Sequence, residues 1–310
     1  MTGALSQRLR ATTHMSTQAW LIFVALSLVW GVPYLFIKIA VTEVEPMTLT
    51  GIRTLMAALI LLPFALRSGS LRAALRAWPW VVAFALIEIA LPWALLAHSE
   101  ERISSGFAAV MIATVPIVGS LISWIEGDRH ALTRVRVVGL VTGVVGVAIL
   151  VGIDSLAGHI DLISLLELVI IAVCSAVGPM MADRKLHGIR PLGVITLTFV
   201  FVSILTMPWT VAGLRLGLPS GKVLVAIAVL ALISTVALTL FLTLIAKAGP
   251  VRATVVTFVN PGVAVILGII VLSEPLTLGT IIGFPLVILG SYLTTRPHPG
   301  AVPDPHSAVV

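Results

Sequence analysis

Residues 108–122 read AAVMIATVPIVGSLI, and residues 253–267 read ATVVTFVNPGVAVIL. The two stretches align at an offset of 145 residues, which pairs Pro116 with Pro261. Further on the offset becomes 144: Leu132 and Thr133 match Leu276 and Thr277, and Gly139 and Gly146 match Gly283 and Gly290. Pro46 and Pro191, each opening an apolar run, again lie 145 apart. In so biased a composition any one match is weak, and it is the shared offset that gives them weight. The chain reads as an internal duplication.

What is duplicated follows from composition. The sequence is 59% hydrophobic and 10% charged, with a mean hydropathy of +1.14. A soluble domain carries about 25% charged residues, so this chain has too little charge to cover a globule and must use lipid as part of its solvent. A span needs about 20 apolar residues. Reading between charged residues and Pro/Gly breaks gives ten candidates: 19–41, 46–66, 79–97, 105–125, 135–153, 162–182, 191–211, 222–246, 251–272 and 277–295. The expected fold is therefore an all-α integral membrane protein of ten transmembrane helices, arranged as two five-helix repeats at 19–153 and 161–295. Short cytoplasmic tails flank them at 1–18 and 296–310, the second Pro-rich and expected to be disordered. The first span lacks a small-residue cleavage site and reads as retained. Cys174 is the single cysteine, so no internal disulfide staples the fold.

The nineteen basic residues orient the spans. With ten crossings and the N-terminus inside, fourteen fall on the cytoplasmic side. Three (Arg102, Arg215 and Lys222) fall outside, and two (Lys38 and Arg53) lie within spans. That is the positive-inside bias, and one missed span would erase it. Both termini are placed in the cytoplasm, and the location is the cell (inner) membrane. The net charge of +6 is explained by these loops without nucleic acid. Five spans per repeat is an odd number, so the second copy sits upside down relative to the first. Inverted repeats are a transporter architecture with the substrate site near the midplane.

Three stretches carry a family resemblance: WGVPYLFIKIA (30–40), EIALPWALLAHSEERISSGFAAVMIATVPIVGSLISW (88–124) and AKAGPVRATVVTFVNPGVAVILGIIVLSEPLTLGTIIGFPLVILGSYL (246–293). The chain resembles the ten-span EamA-type members of the drug/metabolite transporter superfamily over residues 19–295. The resemblance rests above all on the proline in spans 4 and 9 followed by a Gly/Ser-Glu-x-Leu-Thr turn, here Ser273 to Thr277. It implies a transporter and leaves the substrate open. Two departures mark asymmetry. The first-half turn, Gly127 to Thr133, holds a basic residue where glutamate is usual, and Ser175 occupies the repeat position of Trp30.

Three ionisable residues sit well inside spans: Lys38, Arg53 and Glu88. At 1.5 Å per residue they lie about 6, 10 and 15 Å below the outer surface. Each costs roughly 2.5–3.5 kcal/mol if it faces lipid, so all three are expected to face the bundle interior. The lengths of the basic side chains suggest an ion pair of Glu88 with Arg53, and a looser one with Lys38. Two readings stand side by side: a structural ion pair holding spans 1–3 together, or a transport site with Glu88 as its proton-coupling candidate. Trp30, Tyr34 and Lys38 fall on one helix face at 100° per residue, with Pro33 permitting a kink and Trp30 a wall for substrate or a packing residue. Trp93 also lies within the apolar zone. The second half offers uncharged polar groups (Ser175, Thr239, Thr257 and Asn260), Asn260 standing before Pro261 where a proline frees a backbone carbonyl. His98, Glu100 and Glu101 read as solvated loop residues. Gly139-x3-Gly143 and Gly279-x3-Gly283 read as close helix packing.

No metalloprotease, hydrolase or nucleotide-binding motif is found, no carboxylates cluster for a metal, and no cofactor is expected. The sequence therefore supports a non-enzymatic secondary transporter working by alternating access. It would move a small polar metabolite, such as an amino acid or related compound, with efflux the expected direction. The expected partners are that substrate and the lipid bilayer, with no nucleic acid, in a monomer or homodimer. The alternative is a non-transporting membrane sensor or interaction protein, against which stands the lack of an output domain.

Overall fold

A computed structural model describes residues 17–127, 133–156, 161–248, 256 and 259–294. These residues form helices joined by short turns, and proline explains most of the interruptions. Helix α1 (Thr17–Val29) ends where Pro33 has no N–H to give the Val29 carbonyl. Residues 30–32 make a tighter turn instead, with Gly31 N bonded to Leu28 O at 3.3 Å and Val32 N to Val29 O at 3.4 Å. Pro33 then opens α2 (Pro33–Ala40), where a missing N–H costs nothing. Helix α3 spans Pro46–Arg67, and a short α4 (Leu71–Arg76) leads to α5 (Trp78–Phe84). Residues Ala85–Ala90 form a π-helical turn before α6 (Leu91–Glu100). Pro92 would collide with the carbonyl four residues earlier, that of Glu88, and the wider turn relieves this.

The same logic divides α7 (Ser105–Ile112) from α8 (Val115–Ile125) at Pro116, and bends α11 (Pro191–Leu205) by 58° from α12 (Met207–Arg215) at Pro208. Between them run α9 (Arg134–Leu156) and α10 (Leu162–Lys185). The chain continues with α13 (Gly221–Ala248), α14 (Asn260–Leu272) and α15 (Leu278–Thr294). Seven helical runs are long and apolar enough to cross a membrane, and the bent α11–α12 pair makes an eighth if it is one crossing. Helices α14 and α15 are apolar and shorter, 13 and 17 residues. The expected start of the ninth span, at 251, lies outside the described residues. Large apolar side chains such as Leu21, Ile125, Ile163 and Ile270 are exposed, as a lipid-facing surface requires.

Helices that correspond in the duplication pack against each other antiparallel. Helices α9 and α15 make the most extensive contact. A Cβ on Gly139 would strike the backbone at Gly290 and Thr294, and one on Gly146 would strike that at Gly283 and Val287. As the chain advances from 139 to 146, its partner runs from 290 back to 283. The close approach expected of Gly139 and Gly143 is present. On the partner helix the contacting glycines are Gly283 and Gly290, so the spacing of Gly279 with Gly283 misplaced half of that seam. Helix α3 lies likewise against the α11–α12 pair, with Gly51 on Thr206 and Thr210 and with Gly193 on Ser70.

Polar ties close the ends. Glu43, between α2 and α3, accepts from Ser220 N and Ser220 Oγ, each at 2.7 Å, and these bonds hold its carboxyl below the usual range. Glu126 and Arg184 pair at the far end of α8 and α10, and the Arg184 hydrogen bonds lower the Glu126 carboxyl in the same way.

Candidate functional site

A cleft opens where α1, α3, the π-helical turn, α6 and α13 meet. It is narrow, with about 20 Å³ of space open to a water-sized molecule. Its lining includes Trp30 and Pro33 beside the α1–α2 break, Arg53, Glu88, Trp93 and Ser234. Arg53 and Glu88 are 5% and 6% exposed, so neither charge faces lipid.

Arg53 lies flat on an aromatic wall, its Cζ 3.6 Å from the Trp93 ring centroid. Cation–π contact of this kind stabilises a desolvated guanidinium. Arg53 Nε donates to Ser234 Oγ at 2.5 Å, and Ser234 Oγ donates in turn to the Leu230 carbonyl. Trp93 is backed by Phe199, and Trp30 by Phe241 in an edge-to-face contact at 4.6 Å.

Glu88 stands on the π-helical turn with its carboxyl against Gly178 of α10, where a Cβ would overlap Oε2. That oxygen has no hydrogen-bond partner. The expected Glu88–Arg53 ion pair is not formed. Among the described residues the ion pairs are His98–Glu167, Arg102–Asp161 and Glu126–Arg184. The wide turn directs Glu88 toward α10, while stacking on Trp93 and the bond to Ser234 hold Arg53 toward α13. The two charges share a cleft without meeting.

The expected stripe of Trp30, Tyr34 and Lys38 also divides. The tight turn at 30–32 rotates α2 relative to α1, so Trp30 packs with Phe241 while Tyr34, 5% exposed, enters a separate core with Phe107 and Met111. Lys38 does not reach Glu88. Its ammonium donates to the carbonyls of Glu100 and Ile103, the second at 2.7 Å. These belong to the C-terminal end of α6 and the turn after it, where free carbonyls attract a cation. His98 and Glu100 are not solvated loop residues either. His98 pairs with Glu167, and Glu100 is fully buried at the end of α6, whereas Glu101 is exposed.

In the second half Ser175 is half-buried on α10 and does not line the cleft. Asn260 is 3% exposed with Oδ1 unpartnered, and its backbone carbonyl lies so close to Gly31 that no Cβ fits there. The α14 start thus abuts the α1–α2 break, although Asn260 is outside the cleft lining. Thr239 is half-buried and bonds the Thr235 carbonyl of its own helix at 2.7 Å. Thr257 lies outside the described residues. Of the residues expected at a site, Trp30, Arg53, Glu88 and Trp93 come together; Tyr34, Lys38, Ser175 and Asn260 stand apart.

Sequence reasoning missed Ser234, although the duplication contained it. At an offset of 145, Glu88 maps to Ile233, Ile89 to Ser234 and Trp93 to Leu238, and all six line the cleft. Projecting the charged face of the third span onto its repeat copy identifies this face of α13. Gly178 carried no such signal.

Apolar helices of spanning length around a buried, charged, aromatic-walled cleft define a multi-pass membrane protein with an internal polar site. Two matches to the EamA-like transporter family model cover residues 17–152 and 162–296, and the chain belongs to that family. It is 30% identical over 280 residues to the uncharacterized inner membrane transporter YedA of Escherichia coli K12, covering 87% of this chain and 90% of that protein. It is 26% identical over 283 residues to an uncharacterized transporter of Archaeoglobus fulgidus, covering 89% of this chain and 98% of the relative. In fold it is similar to a protein of known crystal structure, with a TM-score of 0.64 at 17% identity over 90% of this chain and 96% of the other. The protein is a membrane transporter by family, and these names point away from an enzyme.

Proposed function

We propose that the protein is an alternating-access secondary transporter that moves a small zwitterionic metabolite, an amino acid or close relative, through the cleft between Trp30 and Trp93. The observation that carries this reading is the separation of Arg53 from Glu88. A guanidinium and a carboxyl group within one buried cleft, with no ion pair between them, offer a cation to one end of a zwitterion and, once the Glu88 proton has left, a carboxylate to the other. The indole walls suit whatever apolar part lies between.

The transport cycle follows from the duplication. Ten spans form two inverted repeats, 19–153 and 161–295, with tails at 1–18 and 296–310. The antiparallel packing of α9 on α15 and of α3 on α11–α12 supports this, because corresponding helices that cross in opposite directions belong to inverted copies. The distribution of basic residues supports cytoplasmic termini, and with them the α2–α3 and α6–α7 turns lie outside. Glu88 exchanges a proton during the cycle, its carboxyl having no fixed counter-charge, and efflux is the working direction.

The experiment is counterflow in sealed liposomes carrying the purified protein, with labelled neutral amino acids on one side and unlabelled ones on the other. Saturable, trans-stimulated exchange of at least one of them is expected, with a pH profile that changes in Glu88→Gln. Flux proportional to concentration, or no exchange across the whole set, overturns the reading. An unchanged pH profile in Glu88→Gln overturns proton coupling through Glu88 alone.

A further inference from the structure

Outward of the cleft, where α2 and α6 end, lies a second group of buried ionisable residues that the transport site does not use. Glu100 is 0% exposed, and neither carboxyl oxygen has a hydrogen-bond partner. The nearby cation is committed elsewhere, Lys38 Nζ donating to the backbone carbonyls of Glu100 and Ile103 and not to the carboxyl. Glu274 is committed as well. Its carboxylate accepts from Ser105 N at 2.9 Å, Ser105 Oγ at 2.8 Å and Gly106 N at 3.4 Å. Together these bonds fasten α2 and the turn before α15 onto the α6–α7 junction, around Glu100.

The charged and titratable groups facing Glu100 are Tyr34 and Lys38 from α2, Arg53 from α3 and Glu274 from the turn before α15. On its own helix His98 is engaged with Glu167 of α10, and Glu101 and Arg102 are exposed. No donor in this layer meets the Glu100 carboxyl. Closing the layer on an ionised Glu100 would bury a carboxylate with no hydrogen bond to either oxygen and with Lys38 and Arg53 engaged by other groups, a cost that the protonated acid largely avoids.

We propose that Glu100 is a proton-binding site whose occupancy governs closure of the outer mouth: the layer closes when Glu100 takes a proton from outside water and opens when that proton returns to it. The device stands at one end only. The position 145 residues after Glu100 is Ile245, buried in an apolar core, and the counterpart of Glu274 in the first-half turn is His130. An aliphatic side chain binds no proton, and an imidazole offers at most one acceptor nitrogen where a carboxylate offers two oxygens.

The inference rests on the alternating-access reading, and one experiment separates the two. Ala237 lines the cleft and makes no side-chain hydrogen bond, so Ala237→Cys in a Cys174→Ala background reports access to the cleft. Right-side-out and inverted vesicles are each treated with a membrane-impermeant methanethiosulfonate. The ratio of the two labelling rates cancels the ionisation of the thiol itself. With Glu100 intact, the ratio of outer to inner labelling is expected to rise with pH, by up to about tenfold per unit where the proton is released. Glu100→Gln, uncharged at every pH, is expected to flatten the ratio at its low-pH value. Glu100→Asp is expected to keep a slope, and melting curves of both variants check that they fold. A ratio independent of pH with Glu100 intact, or an unchanged slope in Glu100→Gln, overturns the inference and leaves transport standing. Labelling from one side only, at every pH and in every variant, overturns both.

Discussion

At the scale of single residues, the candidate site is shaped by what keeps the Arg53 guanidinium and the Glu88 carboxyl group apart. Glu88 is directed by the π-helical turn onto Gly178, and Arg53 is held flat between Trp93 and Ser234. Gly178 is the position at which this can be tested without removing a charge. In Gly178→Ala the new methyl group overlaps the Glu88 carboxyl, which must then swing into the cleft or push α10 away. Overpacking of this kind costs about 1–3 kcal/mol. The expected outcome is a lowered melting temperature together with a loss of counterflow of roughly tenfold, the factor that about 1.4 kcal/mol of misplacement would produce. If Gly178→Ala exchanges substrate at the original rate, the placement of Glu88 against α10 is irrelevant to transport. The charges themselves were legible in the sequence, because an ionisable group in an apolar span must face the interior. Their partners were not. Estimating reach from helix depth assumes 3.6 residues per turn throughout, and the wide turn at 85–90 and the tight turn at 30–32 both violate that assumption.

At the scale of elements, several prolines mark helix breaks, while Pro63, Pro179 and Pro285 lie within continuous helices, and none of them told what the breaks touch. Pro33, Pro116 and Pro208 each fall where a helix stops, kinks or restarts, and their missing N–H groups and ring clashes account for it. The turn at Ser273–Thr277 was visible as a motif, but its function needed the fold. Ser273 adopts a left-handed conformation (φ 56°), and Glu274 N bonds back to Gly268 O at 3.1 Å. The Glu274 carboxylate then caps the start of α7, 169 residues earlier in the chain. Gly268 admits this carboxylate, since a Cβ there would collide with it. A carboxylate at a helix N-terminus satisfies otherwise unpaired N–H groups and complements the helix dipole. Glu274→Gln keeps one acceptor oxygen and loses the charge, so a cost of about 1 kcal/mol and a fall of a few degrees in melting temperature are expected. Ser105→Ala should cost less, because the Ser105 and Gly106 N–H groups still reach the carboxylate. Equal melting temperatures for Glu274→Gln and the unaltered protein would remove the capping role.

At the scale of the whole molecule, the duplication was the most informative feature of the sequence, and it was legible for a physical reason. Membrane helices that approach closely need small residues at fixed positions, so glycines and prolines keep their spacing while lipid-facing residues vary among Leu, Ile and Val. The seam of α9 and α15 shows what those positions do. The surroundings of Gly139 (Gly290, Leu293 and Thr294) match those of Gly283 (Gly146 and Leu150) at the repeat offset, with Gly146 standing for Gly290 and Leu150 for Thr294. The two glycines therefore occupy one environment seen twice, related by a two-fold operation between antiparallel helices. Divergence elsewhere, such as Ser175 for Trp30 or Ile233 for Glu88, has changed the chemistry of the halves without disturbing this contact. A matched pair of substitutions follows from the symmetry. Gly139→Ala and Gly283→Ala each force backbone apart at equivalent contacts, so each is expected to cost about 1–3 kcal/mol, and the two melting temperatures should fall by similar amounts. A fall confined to one variant would mean that the halves do not meet as equivalent partners. An additive fall in the double variant would show two independent contacts, whereas a smaller one is expected here, because helices already separated by the first methyl group accommodate the second more cheaply.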